Sequence, residues 1–473
     1  MNTLPSQNNQ EEIIVSRLIE KGRAAMARFG KVDQEGVDLA VTALAWSIYR
    51  PDRARELAEL AVKNTGLGNV DSKILKNQRK TFGALRDLMR VKTVGIIEED
   101  SEKGLVKYAK PVGVVGAICP STNPAATPVN KAMFAIKGRN SVIIAPSPSG
   151  LTTTTKTVDY MRMELDKIGM PEDLVQVLPA PVNKLLTQEL MKQSDLVVVT
   201  GSQNNVRRAY SSGTPAIGVG AGNVTVIIDE SADLIDAAGK ICASKTFDNS
   251  TSCSSENQLI ILESIYDEAI EALKEMGGYL CSKVEKEQLR DHLWINGKLN
   301  REIIAKDANV LAGIFKFAGK AENAKFFMVE DERPGPGNLF ADEKLSLVLT
   351  IYKAKNFRES LKKVDSIMDV CGRGHSVGIH TKDMRHAEQL AEELEVVRVL
   401  VNQAHTYGNG GGFDNGLNFT LSMGCGTWGG NSISENLSYK HFINTTYLVR
   451  TIPEDKPTEK ELFGDYWERY GSE

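Results

Sequence analysis

The sequence predicts an α/β protein whose core is a doubly wound parallel sheet. From about residue 111 onward, short and almost wholly apolar runs alternate with helical stretches. Such runs are typical of central strands in a parallel sheet, which are buried on both faces, and their alternation with helices indicates a doubly wound fold. The runs are residues 112–118, 141–145, 174–178, 195–200 and 224–228. Ligands of this fold bind at the carboxyl ends of the strands, so we expect the functional loops there.

Before this sheet, the chain predicts helices and then one hairpin. Helical periodicity covers four stretches, at residues 11–29, 33–49, 52–64 and 71–91. This all-helical lead-in carries no evident chemistry. Two β-rich runs, 93–97 and 105–109, then predict a hairpin. Because the hairpin has little apolar backing, we expect it to contact a second copy of the chain.

The second half of the chain predicts a further α/β set, which begins after residue 235. Its predicted strands are residues 258–262, 326–329, 346–352 and 398–402, and its predicted helices include 265–276 and 357–364. Two glycine-rich segments follow, at 407–412 and 424–430. Loops of this length and composition are usually functional.

The composition is that of an ordinary globular protein and excludes several classes of function. Hydrophobic residues make up 41% and charged residues 25% of the 473 positions, and the net charge of −4 offers no basic excess for a nucleic acid. The six cysteines include no CxxC pair, so we predict neither a metal site nor a disulfide framework, and free thiols indicate a reducing cytoplasm. The polar first ten residues do not resemble a secretory signal, and no apolar run approaches the thickness of a bilayer.

Cys253 is the candidate nucleophile of this chain. It follows a polar, hydroxyl-rich loop, residues 247–252, and precedes the apolar run 259–262. A thiolate is a strong nucleophile when backbone N–H groups or nearby cations stabilise it. The alternative is a buried structural cysteine. The flanking Asn, Ser and Thr side chains favour a reachable position and therefore a catalytic role.

Two loops at strand ends are candidates for a bound nucleotide. Gly201 and Ser202 follow the fourth predicted strand and open a helix, whose free N–H groups suit a diphosphate. An ordinary βα turn is the alternative. Ser147 and Ser149 follow the second predicted strand, where an adenine ribose would lie, and no acidic side chain occurs between residues 144 and 155. The 2′-phosphate of NADP is therefore permitted, and the alternative is a loop that touches no ligand.

Asn123 follows the first predicted strand, within Pro120-Ser121-Thr122-Asn123-Pro124. An amide at this place would donate a hydrogen bond to a developing oxyanion, alongside the backbone N–H of Cys253. The alternative is a proline-bounded turn that an Asx hydrogen bond stabilises. These residues alone leave both interpretations open.

Together, these motifs resemble one known family. From about residue 11 to about residue 444, the chain is similar to the CoA-acylating branch of the aldehyde dehydrogenase superfamily. The matching stretches are residues 110–115, Pro120-Ser121-Thr122-Asn123-Pro124, 133–140, 210–213, 218–223, Cys253-Ser254-Ser255-Glu256 and Gly424-Cys425-Gly426-Thr427-Trp428-Gly429. The branch includes enzymes for succinate semialdehyde, acetaldehyde or sulfoacetaldehyde, and the aldehyde half of bifunctional alcohol-forming enzymes. The resemblance implies the aldehyde dehydrogenase fold, with a Rossmann-like cofactor domain.

The resemblance also implies a role for individual residues. Cys253 falls on the family's nucleophile, Asn123 on its oxyanion amide and His375 on a histidine near the thiol. Glu343 falls on the acid that holds the nicotinamide ribose, although Leu347 stands where a proline is usual. The implied cofactor is NADP or NAD, with coenzyme A as co-substrate and no metal.

The residue at position 219 bears on the acyl acceptor. Hydrolytic relatives carry a Glu-Leu-Gly-Gly-Lys motif, whose glutamate activates the deacylating water. Here the corresponding stretch is Val219-Gly220-Ala221-Gly222-Asn223, and Gly220 and Gly222 join the candidates for cofactor binding. Without a general base, attack by water on a thioester is slow, and a thiol such as that of coenzyme A is the better nucleophile.

The remaining candidates concern the two substrates. His375 follows Gly372 and Gly374, which suggest an exposed loop, and an ordinary histidine pKa would let it take the proton of the CoA thiol. A structural histidine is the alternative. Arg373, His405, Tyr407 and Thr122 are candidates for the aldehyde pocket, with loop packing as the alternative for His405 and Tyr407. Their polarity suits a small anionic aldehyde. Sulfoacetaldehyde is favoured, and succinate semialdehyde and acetaldehyde are the alternatives.

We therefore predict three parts of the chain. Residues 1–234 bind NAD(P) and CoA and include an oligomerisation hairpin at about 92–110. Residues 235–425 form the catalytic domain, and 426–473 return to the cofactor domain and add an oligomerisation strand. We expect a cytoplasmic homo-oligomer, a dimer or a dimer of dimers. The competing functions are a binding protein that has lost catalysis and a reductase that uses an acyl phosphate.

Overall fold

The computed structural model describes residues 7–472 and confirms the predicted α/β class. Its strands form a five-stranded sheet, a seven-stranded sheet, a three-stranded sheet and a two-stranded hairpin. The strands are β1 (Gly95–Asp100), β2 (Leu105–Pro111), β3 (Val114–Ile118), β4 (Ser141–Ala145), β5 (Val175–Val177), β6 (Leu196–Val199), β7 (Ala216–Gly218), β8 (Val224–Ile228), β9 (Glu256–Leu262), β10 (Gly278–Leu280), β11 (Trp294–Ile295), β12 (Lys298–Leu299), β13 (Phe326–Glu330), β14 (Val348–Ala354), β15 (Val377–His380), β16 (Val399–Val401) and β17 (Ile443–Val449). The helices are α1 (Gln7–Phe29), α2 (Gln34–Tyr49), α3 (Pro51–Thr65), α4 (Val70–Met89), α5 (Ala126–Lys137), α6 (Leu151–Lys167), α7 (Lys184–Gln193), α8 (Gln203–Tyr210), α9 (Leu234–Thr246), α10 (Tyr266–Glu275), α11 (Lys283–Leu293), α12 (Ala308–Phe315), α13 (Phe357–Met368), α14 (Met384–Glu393), α15 (His405–Gly408) and α16 (Glu459–Tyr470).

The five-stranded sheet is parallel throughout and has the strand order β5-β4-β3-β6-β7. Ile118 at the end of β3 lies opposite Ala145 of β4 and Val199 of β6. The loops that follow these strands therefore leave the sheet at one edge. Four predicted strands are confirmed here. The fifth member, β7, has only three residues, too few to produce a recognisable pattern, and the sequence did not predict it.

Helices cover both faces of this sheet. Val115 packs with residues of α2 and α5 in one cluster, and its neighbour Val114 packs with residues of α1 and α7 in another. Since successive side chains of a strand point to opposite faces, both must be apolar. This explains why the strands are continuous apolar runs rather than alternating ones. None of the helices within residues 7–472 combines the length and the hydrophobicity needed to cross a bilayer.

The seven-stranded sheet is also parallel, with the order β10-β13-β14-β9-β8-β15-β16. Residues 224–228, predicted as the fifth strand of the first sheet, form β8 of this sheet instead, between β9 and β15. That prediction was wrong because an apolar run indicates a buried strand but not its neighbours. The change from one sheet to the other thus occurs between residues 218 and 224, before the predicted domain boundary at residue 234.

The predicted hairpin is present as β1 and β2. The C-terminal strand β17 pairs antiparallel with β2 of the same chain, with Ile443 opposite Pro111 and Val449 opposite Leu105. The result is a small sheet whose outer strand carries exposed apolar side chains, among them Tyr447 and Val449.

Candidate active site

A cavity of about 390 Å³ lies at the carboxyl ends of the five-stranded sheet. Its wall combines the loops that follow β3, β6 and β7 with the loop that precedes β9 and the loop that precedes β14. Of the residues predicted from the sequence, those that line the cavity are Thr122, Asn123, Gly201, Ser202, Gly220, Gly222, Cys253 and Glu343. Residues from five separate loops are therefore brought together around one space.

Cys253 lies in a short loop between a 3₁₀ turn (Phe247–Ser250) and β9. Three successive residues of this turn, Asp248, Asn249 and Ser250, have positive φ angles of 49°, 52° and 60°. Residues other than glycine rarely adopt positive φ angles, so contacts with the surrounding structure must stabilise this backbone conformation. The loop of Cys253 also packs closely against Gly222, where a Cβ atom would lie 2.1 Å from the Cys253 carbonyl oxygen. Glycine at position 222 is therefore required for the cysteine to sit this close to the loop after β7.

The Cys253 thiol is half-buried and protonated at neutral pH. Burial raises the pKa of Cys253 to about 12, and the acidic groups of Glu343 and Cys425 add to this rise, whereas Arg398 opposes it. In this state the surroundings of Cys253 therefore favour the thiol over the thiolate. Formation of the nucleophile requires proton removal as the carbonyl is attacked, or a positive charge that enters the cavity.

Asn123 is oriented by a buried ion-pair cluster behind the cavity. Lys76 of α4 donates a hydrogen bond to Asn123 Oδ1 at 2.9 Å. Asn123 Nδ2 donates a long hydrogen bond to Thr122 Oγ1 at 3.5 Å, so its second N–H remains for the cavity that Asn123 lines. The same ammonium pairs with Asp248, and Lys73 pairs with Asp248 at 3.0 Å and donates to the Thr122 carbonyl oxygen at 3.0 Å. The cluster therefore connects helix α4, the candidate oxyanion donor Asn123 and the loop of Cys253.

The charges of this cluster stabilise one another. Burial lowers the pKa of Lys73 to about 8, and Asp248 opposes that shift. Burial by itself would raise the pKa of Asp248, but Lys76 and Lys73 lower it below its usual value. Asp248 is thus a carboxylate at neutral pH. Because removal of one partner from a buried ion pair leaves an uncompensated charge, the geometry around Asn123 is rigidly specified.

Glu343 presents an unsatisfied carboxyl oxygen. Its Oε1 atom is buried and has no hydrogen-bond partner among the described residues, and burial together with Asp342 raises the pKa of Glu343 to about 8. A group with hydroxyl donors, such as a ribose, would satisfy this oxygen. Gly201 and Ser202 lie at the N-terminus of α8, where Ser202 accepts a hydrogen bond from the Asn205 amide. The donors and acceptors of this region fit a dinucleotide.

Ser147 and Ser149 lie at the same sheet edge but outside the cavity lining. Ser147 accepts a hydrogen bond from the Gly150 amide at 3.2 Å and begins the 3₁₀ turn after β4, and Ser149 is exposed. Both positions are open to a ligand that extends along the edge from Gly201.

His375 lies outside the cavity lining and is buried, with 1% of its surface exposed. Its Nδ1 contacts Ser376 Oγ at 2.8 Å, and its Nε2 has no partner among the described residues. Burial, followed by the charge of Arg398, lowers the pKa of His375 well below its usual value. The expected exposed loop is therefore wrong: a Cβ atom at Gly374 would lie 2.1 Å from the Cys425 carbonyl oxygen, so this glycine permits close packing.

Of the substrate candidates, Thr122 lines the cavity, whereas Arg373, His405 and Tyr407 lie outside its lining. Arg373 is bound by three carboxylates, those of Asp365, Asp369 and Glu395, at 3.2, 2.5 and 2.6 Å. His405 is buried with Nδ1 3.1 Å from the Ser254 carbonyl oxygen, and burial lowers the pKa of His405 to about 3, so the ring is neutral.

Tyr407 is half-buried and packs on Phe247, with 4.8 Å between the ring centroids. Tyr407 and His405 therefore pack against the segment that carries Cys253, at Phe247 and Ser254 respectively.

Helix α4 is the functional element that sequence reasoning missed. The sequence shows no evident chemistry in the lead-in, yet Lys73 and Lys76 contact Thr122 and Asn123, and Lys80 lines the cavity. A signal was present in the sequence. The three lysines are spaced by three and four residues, so they share one face of the helix, which also carries the buried Ala84. Lysines on a core-facing stripe are unusual and require partners.

Comparisons with known proteins agree with this geometry. The model of the family described as "Aldehyde dehydrogenase family" matches residues 6–286. The chain is 50% identical to the acylating sulfoacetaldehyde dehydrogenase of Cupriavidus necator, over 97% of this chain and 93% of that one. It is 46% identical to the protein of the same name from Bilophila wadsworthia, over 97% and 99%. Among solved structures, an acetylating aldehyde dehydrogenase from Geobacillus thermoglucosidasius superposes with a TM-score of 0.91 at 34% identity, covering 96% of this chain and 100% of that one.

Proposed function

The chain belongs to the acylating branch of the aldehyde dehydrogenase family, and we propose that it oxidises a small anionic aldehyde to its acyl-CoA. The observation that carries this proposal is the composition of one cavity, which combines the thiol of Cys253 and the amide of Asn123 with Val219 at the place of a hydrolytic base. The overall reaction converts aldehyde, CoA and NAD(P)⁺ into acyl-CoA, NAD(P)H and a proton. Sulfoacetaldehyde is the proposed aldehyde, since two relatives carry that name.

In the first half of the reaction, Cys253 gives up its thiol proton, which is the proton released in the overall reaction, and Sγ bonds to the aldehyde carbonyl carbon to form the thiohemiacetal anion. The oxygen that becomes negative is stabilised by Asn123 Nδ2–H, whose direction is set by the Lys76 contact to Oδ1. The Cys253 backbone N–H is the second donor. The backbone N–H groups of Ser254 and Ser255 already donate to Ser252. The Cys253 N–H has no hydrogen-bond acceptor within residues 7–472. The cavity therefore supplies two donors to the developing oxyanion.

The chemistry that a nicotinamide would supply when bound is acceptance of the hydride from the thiohemiacetal carbon, so that Cys253 would carry the acyl group as a thioester. Glu343 would hold the ribose of such a cofactor, while the N-terminus of α8, with Gly201 and Ser202, would hold its diphosphate. Gly220 would let the cofactor approach the backbone of this edge. We propose NADP or NAD, with Ser147 and Ser149 placed to meet the adenosine end.

In the second half, the acyl group passes from Cys253 to the thiol of CoA. Val219 lines the cavity and offers no carboxylate, so attack by water on the thioester lacks a general base there. A thiolate is the stronger nucleophile toward a thioester. His375 stays a proposed acceptor of the thiol proton; its burial makes it a weak base, so such a role requires CoA binding to change its surroundings.

The experiment is the formation of NADPH and NADH by the purified protein with and without CoA, using sulfoacetaldehyde, succinate semialdehyde and acetaldehyde. We expect reduction of the cofactor to depend on CoA and sulfoacetaldehyde to give the largest kcat/KM. Inorganic phosphate in place of CoA tests the acyl-phosphate alternative. Accumulation of free acid at the same rate without CoA contradicts the proposal.

A variant at position 219 makes this test sharper. Val219→Glu introduces the carboxylate that hydrolytic relatives carry, and Val219→Gln is its uncharged match. If the absent base prevents hydrolysis, Val219→Glu releases more free acid in the absence of CoA than Val219→Gln does. Equal release by both variants would show that position 219 does not control the acceptor.

We further propose a cytoplasmic homo-oligomer, either a dimer or a dimer of dimers. The exposed apolar side chains on β17 of the three-stranded sheet support a contact with a second copy. The six cysteines, all free, are compatible with a reducing compartment. Light scattering of the wild type and of Val449→Asp measures the oligomer directly.

A further inference from the structure

Lys80 is the one cationic side chain that lines the cavity of Cys253 within residues 7–472. It lies on α4, one helical turn beyond Lys76, and 8% of its surface is exposed. Its Nζ donates a hydrogen bond to the Gly410 carbonyl oxygen at 2.8 Å. The wall of the cavity therefore contains an ammonium group held in place by a backbone contact.

No carboxylate lies within ion-pair distance of this ammonium among the described residues, in contrast to Lys73 and Lys76, which share Asp248. Burial, together with the neighbouring cations Arg79 and Lys76, lowers the pKa of Lys80 to about 7. An ammonium has three donors, and the Gly410 oxygen uses one of them, while the Gly411 oxygen lies at 3.5 Å. A buried cation in this state is stabilised by any anion that enters the cavity.

We propose that Lys80 binds the anionic group of the aldehyde substrate and thereby selects short anionic aldehydes over neutral ones. The inference rests on the proposed function and names a residue that determines its specificity. The anion is a sulfonate or a carboxylate, because each offers several oxygen acceptors to the remaining N–H donors of Lys80. The aldehyde carbon then faces Cys253 in the same cavity.

The competing role is structural. Lys80 fixes the Gly410–Gly411 turn, and its ammonium lies 5.4 Å from the centroid of the Phe419 ring. If this were its whole contribution, removal of the charge would disturb every substrate alike. The two roles therefore differ in their effect on a neutral aldehyde.

The test compares Lys80→Met, which removes the ammonium and keeps an unbranched side chain one atom shorter, with the wild type. We expect kcat/KM for sulfoacetaldehyde to fall about 10- to 100-fold, and kcat/KM for acetaldehyde to change by less than about threefold. Lys80→Arg retains the positive charge and should keep most of the preference for the anionic substrate. Succinate semialdehyde as a third substrate separates sulfonate from carboxylate recognition.

Arg79→Met is the matched control. Arg79 precedes Lys80 on the same helix, but its guanidinium packs on the rings of Tyr407, Phe413 and Phe419 and does not line the cavity. We expect it to leave the ratio of the two kcat/KM values within about twofold of the wild type. If Arg79→Met changed the ratio as much as Lys80→Met, the effect would arise from the overall positive electrostatic potential rather than from a direct contact with Lys80, and the proposal would be wrong.

A measurement on the wild type alone keeps the inference testable if Lys80→Met does not fold. Ethanesulfonate and the neutral ethyl methyl sulfone are compared as inhibitors of acetaldehyde oxidation. We expect ethanesulfonate to inhibit at least about tenfold more strongly, competitively with the aldehyde. Equal inhibition, or an equal loss of activity on both aldehydes in Lys80→Met, overturns the role of Lys80. Absence of CoA-dependent reduction with any aldehyde in the wild type instead overturns the proposed function.

Discussion

Two cations of this protein, Lys80 and Arg373, are placed in opposite ways. Arg373 occupies a glycine-flanked loop that resembles a ligand site in sequence, yet three carboxylates surround it at the protein surface. Lys80 occupies the middle of an ordinary helix, yet it faces the cavity of Cys253 with a backbone carbonyl as its partner. The sequence predicts a substrate contact for the loop of Arg373 and none for the helix of Lys80.

This difference shows that the partners of a charge decide its availability. A guanidinium bound by three carboxylates gains little from a further anion, because its charge is already compensated and three of its five N–H donors are engaged. An ammonium in a cavity without a counter-ion gains more, because burial has removed its water. Glycine content indicates where a loop packs closely, as at Gly374, and does not by itself identify a ligand site.

The largest effect is expected at the nucleophile, since the contrast between the two cations matters only if Cys253 is the reacting group. Cys253→Ala should lower CoA-dependent oxidation by at least about 10⁴-fold, as removal of a covalent nucleophile does in other enzymes. Cys371→Ala, which changes the other half-buried cysteine, is the matched control and should stay near the wild-type rate. Steady-state rates with both aldehydes measure this, and appreciable turnover by Cys253→Ala would contradict the thioester scheme.

The next effect concerns the part of α4 that positions Asn123. Asn123→Ala should lower kcat about 10²- to 10³-fold through loss of an oxyanion donor. Lys76→Met should lower kcat about tenfold with little change in KM, because it leaves the amide of Asn123 free to rotate.

A double-mutant cycle separates positioning from general damage. If Lys76 acts through Asn123, the double variant is no slower than Asn123→Ala, and the two effects are not additive. Since Lys76→Met also leaves Asp248 with one partner fewer, its melting temperature is measured alongside. Fully additive losses in kcat would contradict the positioning role.

A smaller effect is expected from pH. A lysine is charged below its pKa, so Lys80, with a pKa of about 7, loses its charge as the pH rises through 7. The ratio of kcat/KM for sulfoacetaldehyde to that for acetaldehyde should therefore fall above pH 7, at most about tenfold per pH unit. The charged or titratable groups near Lys80 are Lys76 and Arg79 on its helix and Glu343 and Cys253 in the same cavity.

The ratio removes the contribution of Cys253, because both aldehydes need the same thiolate. In Lys80→Arg the ratio should stay constant over this range, because a guanidinium does not titrate there. A decline of equal slope in Lys80→Arg would assign the pH dependence to another group, with Glu343 the first to be examined.

The smallest effect is expected at Arg373. Arg373→Met should change kcat/KM for sulfoacetaldehyde by less than about twofold, since the side chain does not line the cavity. Its partly exposed ion pairs contribute about 0.2 to 1 kcal/mol each, so the melting temperature should fall by a few degrees. A loss of the preference for anionic substrates in Arg373→Met would reverse the comparison with Lys80.

Much of the fold could be predicted because its signals are local. The runs 141–145 and 224–228 coincide with β4 and β8, since a strand buried on both faces must be apolar at every position. The strand β7 could not be predicted, because its three residues are too few to form a pattern. The sheet that contains β8 could not be predicted either, because an apolar run does not indicate which strands it pairs with.

The sequence by itself determined the α/β class, the family resemblance and the loops that carry Cys253, Asn123 and Glu343, because each depends on residues close together in the chain. Only the tertiary structure decided which charges face the cavity and what surrounds them. Lys80 meets Gly410 across 330 positions, and Lys76 meets Asp248 across 172. Such contacts determine the burial, the pKa and the free donors of a side chain, and no local pattern contains them.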